Sequence, residues 1–414
     1  MPPPDKSISH RAVMFSSIAE GKSSVKNFLR AEDTLSTLSA FRALGIEIEE
    51  RGEELTIRGK GILGLREPHD VIDCHNSGTT MRLLLGILSG NPFVSFLTGD
   101  DSLRKRPMQR VIAPLQEMGA HIMGRAGDRY PPIVVKGGRL KPVTYAMPVA
   151  SAQVKSAIIL AGLYVEGETE VIEPLPSRDH TERMLPAFGA EIIVEGQRII
   201  NKGHRELYGI DTTVPGDFSS AAFFLVAGLL VEDAEIILKE VGINKTRTGL
   251  LDILGRMGAD VKIGNLHHVS GEPVADLHCR GGTLLRAVHV EKNEVPLSID
   301  EFPVLCVAAS QAEGVTTIRG AEELRVKESD RIRAMAKELR KLGVTLEEYP
   351  DGISIEGKTG LTGCEVESYG DHRIAMALSV AALIAEGTTV LNHPSCVDIS
   401  YPGFFSVLKR VRET

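Results

Sequence analysis

The chain of 414 residues is 43% hydrophobic and 25% charged, the makeup of a globular protein with room for two or three domains. Its formal net charge of -8 argues against nucleic acid or an anionic membrane surface as the main partner. No apolar run reaches the length of a membrane span, MPPPDKSISH at the start lacks a signal-peptide core, and five scattered cysteines form no CxxC pair, so neither a disulfide framework nor a structural metal is expected and a reducing cytoplasm fits best.

Along the chain, Lys6-Ser7 opens directly into the apolar helix ISHRAVMFSSI, and the next helical stretch, DTLSTLSAFRALG, ends on Leu44-Gly45-Ile46 before the β-rich IEIEERGEELTIRG. The same succession then returns. Polar starts open into apolar helices at Ser77-Gly78, Ser151-Ala152-Gln153, Asp217-Phe218, Asp300-Glu301 and Asp371-His372, and a bulky residue followed by glycine precedes a strand at Met118-Gly119, Phe188-Gly189, Met257-Gly258 and Leu342-Gly343. Glycine at those points predicts helix C-caps, because it takes the left-handed conformation at little cost. With Ser7, Ser77, Ser151, Phe218, Asp300 and Asp371 as markers the intervals are 70, 74, 67, 82 and 71 residues, which predicts six copies of one β-α-β-α-β-β unit or a permutation of it. Helices apolar nearly all round, such as AAFFLVAGLL, must lie inside a domain, so three units are expected to bury three such helices behind three sheets. The sixth unit is expected to lack a strand, which would have to precede Lys6.

Converging helix N-termini favour anions. Singly, Ser7, Ser77, Ser151 and Asp300 read as helix caps, His372 as a hydrogen-bonded structural residue, and Arg104, Lys105 and Arg106 as a surface charge run. Their joint recurrence beside Lys6, Arg11, Lys155, Arg178, Lys327, Arg331 and Arg373 points instead to a substrate with several anionic groups. Asp300 and Glu328 are the carboxylates best placed in sequence for acid and base work. No GxxxxGK[ST], GxGxxG after a strand, HExxH or GxSxG occurs, which removes the common nucleotide, zinc-protease and serine-hydrolase readings.

The segments PDKSISHR at 4–11, NSGTTMRLL at 76–84, RPM at 106–108, SAQVKSA at 151–157, LRVKESDRI at 324–332 and GDHRIAMA at 370–377 resemble, in order and spacing, the 5-enolpyruvylshikimate-3-phosphate synthase family along essentially the whole chain. PDKS, SAQVK, RDHTE at 178–182 and NKTR at 244–247 are similar to the signature of its class II branch. The resemblance implies an α/β (α+β) enolpyruvyl transferase fold of two similar inside-out domains, each of three β-α-β-α-β-β repeats, with residues 7–216 in the first and 1–6 plus 217–414 in the second. It implies transfer of the enolpyruvyl group of phosphoenolpyruvate to the 5-hydroxyl of shikimate 3-phosphate, on the way to chorismate and the aromatic amino acids. A cytoplasmic monomer is expected, without metal or organic cofactor and with glyphosate as an inhibitor of the family.

Carried over by motif, Lys6, Ser7, Arg11, Ser151, Gln153, Arg178, Asp300 and Lys327 would hold shikimate 3-phosphate. Lys6, Asn76, Gly78, Arg106, Gln153, Glu328, Arg331, His372 and Arg373 would surround phosphoenolpyruvate. Asp300 resembles the family's proton acceptor for the attacking hydroxyl, Glu328 the group that protonates the methylene carbon, and Lys6 a third catalytic residue near both substrates. Glu323 stands where many members have asparagine, Ile399 where some have lysine, and Ala152 where other branches have serine. UDP-N-acetylglucosamine enolpyruvyl transferase is the nearest competitor, but its loop typically carries a reactive cysteine and TGDDSLRKRPM at 98–108 has none. An RNA-end-binding protein built on such repeats is disfavoured by the acidic balance, and a non-catalytic anion receptor would need neither Asp300 nor Glu328.

Overall fold

The computed structural model describes residues 1–203 and 205–413. Its contacts divide the chain into two units, Pro4–Pro215 with His268–Glu272, and Met1–Pro3 with Gly216–His267 and Pro273–Thr414. The early unit therefore includes Lys6, where the family resemblance implies the later half. The Asp5 N–H donates to Pro215 O at 2.7 Å and the Asp5 side chain caps the first helix, so the chain is tied into the early unit from that point on.

The β-α-β-α-β-β unit stands complete at 72–136. Strand Ile72–Asp73 runs parallel to Val94–Thr98, which pairs antiparallel with Tyr130–Lys136, itself antiparallel to His121–Gly124. The same parallel pair followed by an antiparallel hairpin recurs within 144–201 and 289–356. The first copy is permuted, since Glu20–Lys26 takes its parallel partner from Thr212–Thr213 at the far end of the same unit. In the fourth copy an isolated parallel bridge between Gly216 and Val241 occupies the corresponding place, and the sixth is the parallel pair Glu365–Glu367 and Val390–Asn392.

Each copy contributes one central helix: α1 (Lys6–Ile18), α2 (Gly78–Ser89), α3 (Ala152–Gly162), α4 (Phe218–Leu230) and α5 (Phe302–Gln311), with the amphipathic α6 (Arg331–Lys341) preceding α7 (His372–Ile384). Every residue of α4 from Phe218 to Leu229 is buried, as the apolar run that follows Ser219 and Ser220 requires. Each large side chain so placed contributes roughly 1.5–3 kcal/mol of transfer free energy. In the early unit α2 packs on α3 so closely that a Cβ at Gly86 would lie 2.3 Å from Ala157 O. Only glycine permits that approach. Gly45, Gly119, Gly189, Gly258 and Gly343 all have φ between +85° and +102°, the left-handed C-cap predicted for them. Among the described residues no helix is long and apolar enough to cross a membrane.

Candidate active-site clusters

In the later unit, side chains at the starts of α5, α6 and α7 meet around Arg331, which is 1% exposed. Arg331 Nε donates to Asp371 Oδ2 at 2.8 Å, Nη2 to Glu328 Oε2 at 2.6 Å and to Asp371 Oδ1 at 3.3 Å, and Nη1 to Asp300 Oδ1 at 3.3 Å. A planar guanidinium spreads its donors over three nitrogens and so meets three carboxylates from different sides, where an ammonium must place all its donors around one atom. Burial alone would lower the Arg331 guanidinium, but Asp371, Glu328 and Asp300 outweigh it and hold the guanidinium above its ordinary value. Asp371 also caps α7, accepting from Arg373 N at 2.9 Å, and takes the Ser329 hydroxyl at 3.0 Å.

Asp300 does not take the cap role its position suggested. Glu301 is the N-cap of α5, and the Asp300 carboxylate is shared between Arg331 Nη1 and Arg373 Nη2, each at 3.3 Å. Lys327 is half-buried in the turn before α6. Burial pulls its ammonium below the ordinary lysine range; Glu323 and Asp300 partly restore it, and Arg331 adds to the drop. An anionic ligand would favour that charge. His372, 1% exposed, is the first residue of α7.

In the early unit the predicted residues gather at the starts of α1, α2 and α3. Asp5, not Ser7, is the N-cap of α1, accepting from Ile8 N at 2.8 Å, while Ser77 and Ser151 cap α2 and α3 as expected. Lys6 Nζ is paired with Asp33 at 2.8 Å. Arg11 is buried one helical turn on, with Nε donating to Thr181 Oγ1 at 2.7 Å, Nη2 to Ser156 Oγ at 2.8 Å and Nη1 to Ser7 O at 3.1 Å. Burial lowers Arg11 to about 10 against the pull of Glu182 and Asp5, and half-buried Arg178 adds a nearby positive charge. Arg106 donates a short hydrogen bond to the Asn76 side-chain oxygen, and Asn76 Nδ2 donates to Asp100 at 2.6 Å. Arg82 Nη1 donates to Gln153 Oε1 at 2.6 Å. Gly78 lies beneath both arginines: a Cβ there would stand 2.8 Å from Arg82 Nη1 and 3.4 Å from Arg106 Nη1.

Two of the cations also depart from expectation. Lys155, grouped with the anion-binding cations, is 1% exposed and held by Glu182 at 2.7 Å and Glu173 at 3.0 Å, so its charge is met inside the fold. Arg104 forms an exposed pair with Asp101 at 2.6 Å, the ordinary surface arrangement. Sequence reasoning also missed Asp33 and Arg82. Arg82 sits inside the NSGTTMRLL segment and could have been found there; nothing in spacing marks Asp33 as the partner of Lys6.

Six sheet-and-helix copies with guanidinium and carboxylate clusters at the helix starts define a protein of the enolpyruvyl transferase fold. The enolpyruvyl transferase NikO from Streptomyces tendae, 19% identical, superposes with a TM-score of 0.78 over 99% of this chain and 94% of that one, a likeness of fold alone. Residues 1–408 match the family of EPSP synthase (3-phosphoshikimate 1-carboxyvinyltransferase), and the chain belongs to it. A 3-phosphoshikimate 1-carboxyvinyltransferase of Thermodesulfovibrio yellowstonii is 54% identical over 414 residues, all of this chain and 96% of that protein. One from Geotalea uraniireducens is 55% identical over 409 residues, 99% of this chain and 95% of that protein. The structure of EPSP synthase from Acinetobacter baumannii is 48% identical, with a TM-score of 0.89 over 99% of this chain and 94% of that one.

Proposed function

We propose that this chain transfers the enolpyruvyl group of phosphoenolpyruvate to the 5-hydroxyl of shikimate 3-phosphate, releasing phosphate. The observation that carries the reading is the Arg331 fork, which gathers Asp300, Glu328 and Asp371 with Arg373 beside them. Asp300 takes the proton of the attacking hydroxyl as its oxygen bonds to C2 of phosphoenolpyruvate, while Glu328 gives a proton to the methylene carbon. The resulting ketal phosphate loses a methyl proton as its C–O bond to phosphate breaks. A substrate carboxylate that competes for Arg331 Nη2 would loosen the bond between Arg331 and Glu328 and release the Glu328 carboxyl toward the methylene carbon. Guanidinium groups held in advance by buried partners can meet developing charge without reorganising.

In the early unit Lys6, Ser7, Arg11, Ser151, Gln153 and Arg178 are assigned to shikimate 3-phosphate, and Asn76, Gly78 and Arg106 to phosphoenolpyruvate, with Lys6 and Gln153 serving both. Of the later unit's residues, Lys327 and Asp300 are assigned to shikimate 3-phosphate, and Glu328, Arg331, His372 and Arg373 to phosphoenolpyruvate. The reading includes a monomer working in the cytoplasm. Its test is Glu328→Gln: phosphate release should fall by at least about 100-fold, the scale of a lost general acid, while calorimetric binding of shikimate 3-phosphate persists. Unchanged turnover would remove Glu328 from the mechanism.

A further inference from the structure

Behind Asp300 and Arg373 lies a buried chain of polar groups that the chemistry above leaves unused. Glu301 is 1% exposed, and its Oε1 lies 4.0 Å from Arg373 Nη1. The same guanidinium reaches Asp300 Oδ2 through Nη2 at 3.3 Å and the Asp300 carbonyl through Nη1 at 3.2 Å. Glu301 Oε1 accepts a short hydrogen bond from the Ser219 hydroxyl, and Ser219 Oγ accepts from Arg247 Nη2 at 2.8 Å. Arginine has donors only, so the serine must turn a lone pair to Arg247 and its proton to Glu301.

Arg247, 4% exposed, also donates to Asp217 Oδ1 at 2.9 Å, and Asp217 caps α4 through Ser219 N. The NKTR segment that carries Arg247 is a tight turn: Asn244 Oδ1 accepts from Thr246 N at 3.0 Å, and Arg247 N donates to Asn244 O at 2.8 Å. That turn aims the guanidinium at the start of α4.

We propose that Glu301, held by Ser219, which Arg247 holds in turn, is a positioning residue that fixes the Arg373 guanidinium and through it sets the charge of Asp300. The inference deepens the reading above, in which Asp300 accepts the hydroxyl proton. A buried carboxylate that accepts from Ser219 and faces Arg373 is a costly way merely to fill the start of a helix, where apolar side chains of similar size would often do as well or better. Its effect on Asp300 is electrostatic and geometric together. Asp300 is faced by Arg331 from α6, by Arg373 from α7 and by Lys327 in the turn before α6, and it shares Arg331 with Glu328 and Asp371 and Arg373 with Glu301. Removing the Glu301 charge leaves Arg373 wholly to Asp300 and takes away a like charge, and both changes make Asp300 hold its proton less tightly. Freeing Glu301 from Ser219 acts the other way, because the loosened carboxylate draws Arg373 toward itself.

The test follows the Asp300 carboxyl by carbon NMR in aspartate-labelled protein, with Asp300→Asn to assign the signal. Glu301→Gln keeps the shape and should lower the Asp300 titration by about half a unit to one unit; Ser219→Ala should raise it. The acid limb of kcat for phosphate release should move in the same directions. Opposite shifts are not what general destabilisation produces, and Ser219→Ala carries the test should Glu301→Gln fail to fold. An Asp300 titration that stays in place in the variants overturns the proposal. If the wild-type chain releases no phosphate from phosphoenolpyruvate with shikimate 3-phosphate, the assigned reaction fails, while the titration still decides whether Glu301 governs Asp300.

Discussion

Replacing Lys155 with methionine removes the charge from a side chain that is 1% exposed while keeping much of its volume. Its ammonium lies 2.7 Å from Glu182 Oε1 and 3.0 Å from Glu173 Oε1, and it donates to Ser177 O at 3.2 Å. Without it two buried carboxylates share one pocket with no cation between them, and breaking a buried ion pair from one side costs about 3–5 kcal/mol. For a domain of roughly 150–250 residues each kcal/mol moves the melting midpoint by about 2–4 °C, so the early unit's transition should fall by roughly 6–20 °C. The defect should also depend on pH. Burial already raises Glu182 above the usual carboxylate range, with Lys155 opposing. The folded state therefore binds that proton more tightly than the unfolded chain, and its stability contribution falls as pH rises from the ordinary carboxylate value through the raised one. Losing Lys155 raises Glu182 further and steepens the fall, so the deficit should be larger at pH 8 than at pH 5, with Glu182→Gln recovering part of it. Scanning calorimetry at the two pH values measures this directly. A Lys155→Met chain melting within about 2 °C of the parent at pH 8 would refute the reasoning, since that is less than a single kcal/mol.

Arg331→Lys keeps the charge but replaces a planar fork serving three carboxylates with donors clustered on one atom; kcat/KM for phosphate release should fall by about 100-fold, equivalent to roughly 2.7 kcal/mol. A loss smaller than about fivefold would mean that charge alone suffices there. Gly78→Ala brings a methyl to 2.8 Å from Arg82 Nη1, so Arg82 must swing away from Gln153. The KM for phosphoenolpyruvate should rise by about tenfold, near 1.4 kcal/mol, and the inhibition constant of glyphosate should rise with it; unchanged values for both would place Arg82 and Gly78 outside the site.

The architecture was legible because it is written in local signals that repeat. Predicted helix starts at Ser77-Gly78, Ser151-Ala152, Asp217-Phe218 and Asp371-His372 coincide with α2, α3, α4 and α7, and the five glycines at strand entries are all left-handed. Permutation of the first copy was harder to see, since Thr212–Thr213 pairs with a strand almost two hundred residues earlier. Side-chain partners were least legible. Lys155 and Glu182 are far apart in sequence, as are Arg331 and Asp371, and a cation beside a helix start looks the same whether it faces a ligand or a buried carboxylate. The motif resemblance picked out Asp300, Glu328 and Arg331, but only the fold shows that Asp371 grips the same guanidinium and that Lys155 is enclosed. Taken singly Ser7 reads as a cap because it is the residue type caps favour, but the cap is Asp5, two positions earlier, which has the extended backbone a cap needs.

Phosphate release from phosphoenolpyruvate by the purified chain, with shikimate 3-phosphate and UDP-N-acetylglucosamine as parallel acceptors, tests the central claim most directly. Release with shikimate 3-phosphate and none with the nucleotide sugar is the predicted result. Release with UDP-N-acetylglucosamine instead, or with neither acceptor, would contradict it.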